Sequence, residues 1–187
     1  MNNPISIFLM IAAGIATTGN AYAQCASAVT AGCGVYKSCF AKYCPCQGDP
    51  EEYFESYGLK YCERFLTTTN SSKEWMQWRD LTLLCLQEAI VPKLDISASP
   101  KCDCGKMKVF AFQTHVACYT KPGASICSLG LADISTTMKT IQIQDAFTKE
   151  GWSQMLQVTK ICETTAPEDG RRTLWSAAAK ILGLLTK

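Results

Sequence analysis

The residues of this chain with the most chemistry in them are its cysteines: Cys25, Cys33, Cys39, Cys44, Cys46, Cys62, Cys85, Cys102, Cys104, Cys118, Cys127 and Cys162. Dense cysteine can hold zinc, exchange electrons or cross-link the chain. A structural zinc site usually takes ligand pairs two to four residues apart, often with histidine. The only close pairs here are Cys44-Pro45-Cys46 and Cys102-Asp103-Cys104, each with one intervening residue, so a tetrathiolate built from those four is the metal alternative. Redox catalysis usually shows Cys-x-x-Cys, and the sequence has none. Disulfides are the leading reading. The count of 12 is even, and bridges between short helices supply stability that such helices lack alone. Spacing by itself does not choose the partners.

His115 is the one histidine. The run His115-Val116-Ala117-Cys118-Tyr119 is similar to the histidine helix of secreted phospholipases, in which an Asp beside the His holds calcium. Here the neighbour is Val116, which offers no oxygen to a hard cation. No glycine-rich loop precedes it, and no Gly-x-Ser-x-Gly elbow occurs anywhere. His115 is therefore expected to be a partly buried, hydrogen-bonded residue of the core. Glu51 and Glu52 suit a helix start, and Glu163, Glu168 and Asp169 fall in a solvated stretch. No catalytic residue, metal ligand or cofactor is expected, and the chain is read as a non-enzyme.

These side chains need elements to hold them. Residues 1–23 carry no charge, their apolar run 5–16 is too short to span a bilayer, and Ala21-Tyr22-Ala23 has the pattern of a signal-peptidase site. A signal peptide over 1–23 puts the remainder in an oxidising compartment: secreted and extracellular, or periplasmic in a bacterium. Lys and Arg number 18 against 16 Asp and Glu, a balance that argues against nucleic acid as a partner. Phe54, Tyr57, Tyr61 and Phe65 recur at helical spacing, as do Trp78, Leu81, Cys85 and Ala89, then Leu131, Ile134, Met138 and Ile141, then Trp152, Met155 and Leu156. Trp75 and Trp78 are expected in the core. The pattern predicts an all-α, disulfide-rich domain of about five to seven helices over residues 24–163. A polar linker (164–172) and a short amphipathic C-terminal helix complete 164–187. That helix is expected to dock on the core, with membrane contact the weaker reading.

Several segments carry a family resemblance. They are Cys33-Gly34-Val35-Tyr36-Lys37-Ser38-Cys39 with Cys44, Tyr61-Cys62-Glu63-Arg64-Phe65-Leu66, Trp75 through Leu84-Cys85-Leu86-Gln87-Glu88-Ala89-Ile90, and Phe112 through Cys118-Tyr119 followed by Ile126-Cys127-Ser128-Leu129. Together they resemble the stanniocalcins, secreted helical glycoproteins of animals, from Cys25 to Cys162. The resemblance implies the pairs Cys25–Cys39, Cys33–Cys62, Cys85–Cys118 and Cys127–Cys162. It joins Cys44 to Cys102 or Cys104, and leaves Cys46 and the other of that pair to form a parallel bridge. It also implies a non-enzymatic, hormone-like regulatory factor or an inhibitor of an extracellular protease, with a receptor or protease as partner. Two departures stand out. No cysteine follows Cys162, so a disulfide-linked dimer is not expected while a non-covalent one stays open. The glycosylation sequon is Asn70-Ser71-Ser72, in an expected loop. The alternative to a regulatory factor is a helical lipid-binding protein derived from a phospholipase-like scaffold.

Overall fold

A computed structural model describes residues 11–69, 71–121, 123–141 and 149–185. They form an all-α, disulfide-rich fold, with no strand among the described residues. Seven helices of eight or more residues are described: α1 (Ile11–Ala28), α2 (Lys60–Thr67), α3 (Lys73–Ile90), α4 (Cys104–Tyr119), α5 (Leu131–Thr140), α6 (Lys149–Thr165) and α7 (Asp169–Leu185). Shorter pieces join them. A π-helical turn at Tyr36–Phe40 runs into Ala41–Tyr43, a second at Phe54–Leu59 runs into α2, and 3-10 turns lie at Val91–Lys93 and Ile126–Ser128.

Local chemistry sets the ends. Ser72 caps α3, its Oγ accepting the Trp75 amide at 3.0 Å, and Pro92 turns the far end of α3 into the 3-10 step. Asp103 caps α4 by accepting from the Lys106 amide at 3.0 Å. The Glu52 carboxylate accepts from the amides of Glu55 and Ser56, both at 2.8 Å, and so closes the start of the second π turn. The chain reverses before that turn at Gly48, whose φ of 84° is the left-handed conformation that glycine adopts without penalty. Gly58 has a different use. A Cβ there would stand 2.5 Å from the Tyr36 ring, so only glycine lets the two π turns close on each other.

Two cores result. Val35, Phe40, Phe54, Leu83, Ile90 and Phe112 fill one, together with the sulfurs of the N-terminal half. Phe65, Trp75, Trp78, Ile126, Val158, Cys162 and Trp175 fill the other, and Tyr57 packs against both. Both tryptophans of α3 are fully or almost fully buried.

Three stretches differ from the sequence reading. Leu81 is exposed, because α3 buries Thr82, Leu83 and Gln87 instead. The apolar stripe of α5 enters the core only in part: Ile134, and Ile141 just past the helix end, pack against the second core, but Leu131 is 65% exposed and Met138 47%, while Asp133, Thr137 and Thr140 are buried. The linker expected over 164–172 shrinks to 166–168, with Pro167 breaking the helix between α6 and α7. Glu163 therefore lies within α6, and Asp169 opens α7. At the other end, α1 runs across the Ala23–Gln24 peptide where cleavage is expected, and residues 1–10 of that segment lie outside the described residues.

Candidate functional site

None of the twelve cysteines is free. Cys25 is bonded to Cys39, Cys33 to Cys62, Cys44 to Cys102, Cys46 to Cys104, Cys85 to Cys118 and Cys127 to Cys162. The Cα separations run from 4.9 to 5.9 Å, inside the range a disulfide spans. The bridges tie α1 to the first π turn, the loop before that turn to α2, the segment after it to the start of α4, α3 to α4, and the last 3-10 turn to α6. Of the two arrangements open for Cys44, the structure has the one with Cys102, which places the Cys44–Cys102 and Cys46–Cys104 bridges side by side.

That doublet is also where a metal would have to sit. The sulfurs of Cys44, Cys46 and Cys102 lie within 4.8 Å of one another, the one such convergence of potential ligands among the described residues. A cysteine binds a metal as the thiolate. A sulfur in a disulfide has no thiolate to offer, so the bridged doublet is a staple and not a coordination site.

His115 sits on the buried side of α4. Its Nδ1–H donates to the Ala111 carbonyl at 2.9 Å, and its Nε2 accepts from the Tyr53 hydroxyl at 3.4 Å. The rings of Tyr53, Tyr57, Phe112 and Tyr119 surround it at centroid distances of 5.5–6.4 Å. Burial lowers its pKa to about 4, so it is neutral at pH 7. Burial likewise pushes the Tyr36, Tyr53 and Tyr119 hydroxyls above their ordinary value. The space these rings enclose is about 30 Å³, the size of one water. Both nitrogens of the imidazole are engaged by protein groups there.

Four of the five carboxylates singled out from the sequence have structural partners as well. Glu51 pairs with Lys108 at 2.9 Å, Glu52 caps the π turn as described, and Glu168 and Asp169 pair with Arg171 and Arg172 across the start of α7 at 3.4 and 3.3 Å. Arg171 also donates to the Ser128 carbonyl, and Arg172 to that of Ala166. Asn70 lies outside the described residues; Ser72 of its sequon has its hydroxyl bonded to Asp133 at 2.7 Å.

A large, mainly apolar space lies elsewhere among the described residues, and the sequence reading did not find it. Helices α5, α6 and α7 enclose a cavity of about 380 Å³ lined by Ile134, Met138, Met155, Val158, Trp175 and Ile181 among others. Gln154 lines it too, with its Nε2 buried and without a hydrogen-bond partner. A glutamine one turn from Val158 and beside Met155, on the inner side of α6, was the available signal. No family model, curated protein or solved structure matches this chain.

Proposed function

We propose that this chain is a secreted, non-enzymatic binding protein. In this reading it is a stanniocalcin-like regulatory factor that presents a rigid helical surface to an extracellular protein, either a receptor or a protease. The observation that carries the reading is the closed set of six bridges with no thiol left over. Such a set persists where the surroundings are oxidising. No helix among the described residues is long and apolar enough to cross a membrane. A surface held by cross-links loses less conformational entropy when it docks, which is how bracing serves binding. The buried, neutral His115 supports a structural role for the residue with the most catalytic potential.

The test is expression of the full chain in a secreting host, followed by intact mass after thiol alkylation, with and without reduction. A secreted product beginning at Gln24, alkylated at no cysteine before reduction and at all twelve after it, is the expected result. Retention of residues 1–23 inside the cell, or alkylation of several cysteines without reduction, overturns the secreted reading. Cross-linking the secreted protein at a cell surface and to secreted proteases tests the partner. Hydrolysis of an ester or peptide that is lost in His115→Ala overturns the non-enzymatic assignment.

A further inference from the structure

The cavity between α5, α6 and α7 has three properties that together define an occupant. Its volume, about 380 Å³, falls within the roughly 300–1,000 Å³ typical of small-molecule sites. Its described wall is mostly hydrocarbon and aromatic, and among the described residues no Lys, Arg, Asp or Glu lines it. Two of its hydroxyls are spoken for, and one fully buried donor is the exception. The Thr137 hydroxyl donates to the Asp133 carbonyl at 2.9 Å and accepts from the Trp75 indole at 2.9 Å, and the Thr159 hydroxyl donates to the Leu156 carbonyl at 2.9 Å. The exception is Nε2 of Gln154, buried with nothing to donate to. A buried donor without an acceptor is a standing cost that a ligand oxygen would remove.

The position of the cavity in the fold fits an occupant that comes and goes. Neither α5 nor α7 contains a cysteine, so no bridge fixes two of the three helices that line it. Elements held without a cross-link, by packing and hydrogen bonds, are the ones that open at lower free energy. Met138 and Ile181 line the cavity and are also strongly exposed, which places apolar surface at its mouth.

We propose that this cavity binds an uncharged acyl ester, its hydrocarbon chain along the apolar wall and its carbonyl oxygen accepting a hydrogen bond from Gln154 Nε2. The ester carbonyl answers the unpaired donor, which a plain hydrocarbon does not. A carboxylate would find no cation among the described lining residues and would pay its desolvation unpaired, so the uncharged ester is favoured. The inference goes beyond the regulatory reading and depends on neither secretion nor a protein partner. A free fatty ester and the acyl chain of a membrane glycerolipid share this chemistry, and the experiment separates them.

The measurement is uptake of N-phenyl-1-naphthylamine by the full oxidised chain, read by the probe's fluorescence and by energy transfer from tryptophan, followed by competition. One probe is expected per chain. Methyl decanoate should displace it at concentrations about tenfold or more below those needed with undecane or decanoate ion. Gln154→Leu should keep the probe and lose the preference for ester over undecane. Ala178→Trp, which fills the space, should weaken probe binding about tenfold or more while circular dichroism stays native. No uptake by the folded chain overturns the proposal. So does uptake unchanged in a folded Ala178→Trp protein, an ester preference unchanged in Gln154→Leu, or decanoate ion outcompeting the ester. Association with phosphatidylcholine vesicles without any binding of monomeric ester would assign the face to a membrane, and loss of uptake on self-association would assign it to a second copy; either result overturns it. If Ala178→Trp does not fold, Gln154→Leu still decides.

Discussion

The indole Nε1–H of Trp75 donates to the Thr137 hydroxyl over 2.9 Å, and this bond joins α3 to the polar face of α5. The same face carries Asp133, which accepts from the Ser72 hydroxyl at 2.7 Å, and Thr140, whose hydroxyl lies 3.1 Å from that of Thr68. With three polar contacts drawn inward, Ile134 and Met138 are left to line the cavity. Thr137→Val keeps the shape of the side chain and strands the indole donor in the core. A loss of about 1–3 kcal/mol is expected, seen as a lower urea midpoint at unchanged m-value. Thr137→Ser should recover most of it.

His115 makes stability depend on pH in a stated direction. Its pKa is lowered from 6.5 to about 4 in the fold, so on acidification the unfolded chain takes up the proton first. The stabilisation is whole above pH 6.5, declines as pH falls from there to about 4, and is then exhausted. The total at stake is about 3 kcal/mol. Denaturant melts of the wild type and His115→Gln between pH 7 and pH 4 should converge as the pH drops. Parallel curves would show that the imidazole is not the group responsible.

Gln87 is fully buried and clamps the loop that precedes the first π turn. Its Nε2 donates to the Gly32 carbonyl at 2.7 Å, and its Oε1 accepts from the Thr30 amide at 3.3 Å. Gln87→Leu leaves both backbone groups without a partner, a loss of about 2 kcal/mol or more. Hydrogen exchange should locate the damage, with protection falling first in 29–35 and not in α6.

The parallel doublet predicts strong non-additivity. Cys44–Cys102 and Cys46–Cys104 each close 58 residues, and Cys85–Cys118 closes 33. A lone bridge of either size removes roughly 4 kcal/mol of unfolded-state entropy. Replacing Cys44 and Cys102 together by serine leaves Cys46–Cys104 closing almost the same loop, so less than about 1 kcal/mol of that should be lost. Replacing Cys85 and Cys118 should forfeit the whole. Equal losses in thermal melts would contradict the doublet.

Much of the fold was legible in sequence because its periodicity is local. Phe54, Tyr57, Tyr61 and Phe65 keep one face even though the backbone changes from a π turn to an α-helix at Lys60. The stripe of α5 misled at Leu131 and Met138 for the opposite reason. The groups that draw Asp133, Thr137 and Thr140 inward come from Ser72, Trp75 and Thr68, some sixty to seventy residues earlier, and no helical period reports a partner at that distance. Composition misled over 164–172, where charge suggested a linker, yet Arg171 and Arg172 pair back three residues and extend a helix. The cavity was hidden because it belongs to the spacing of three helices and to no one of them; only Gln154, polar on an inward-facing side, hinted at it.

The six bridges divide the chain into two covalently closed units. Five overlap without a gap from Cys25 to Cys118, and the sixth encloses Cys127 to Cys162. A protease that nicks the backbone inside either unit leaves the pieces fastened together by sulfur. A single cut in 119–126 removes the last covalent link between the two units and leaves the second core to hold them together, and a cut after Cys162 leaves α7 attached by noncovalent contacts alone. Those two junctions are the places after Cys25 where the continuity of the molecule rests on the backbone alone.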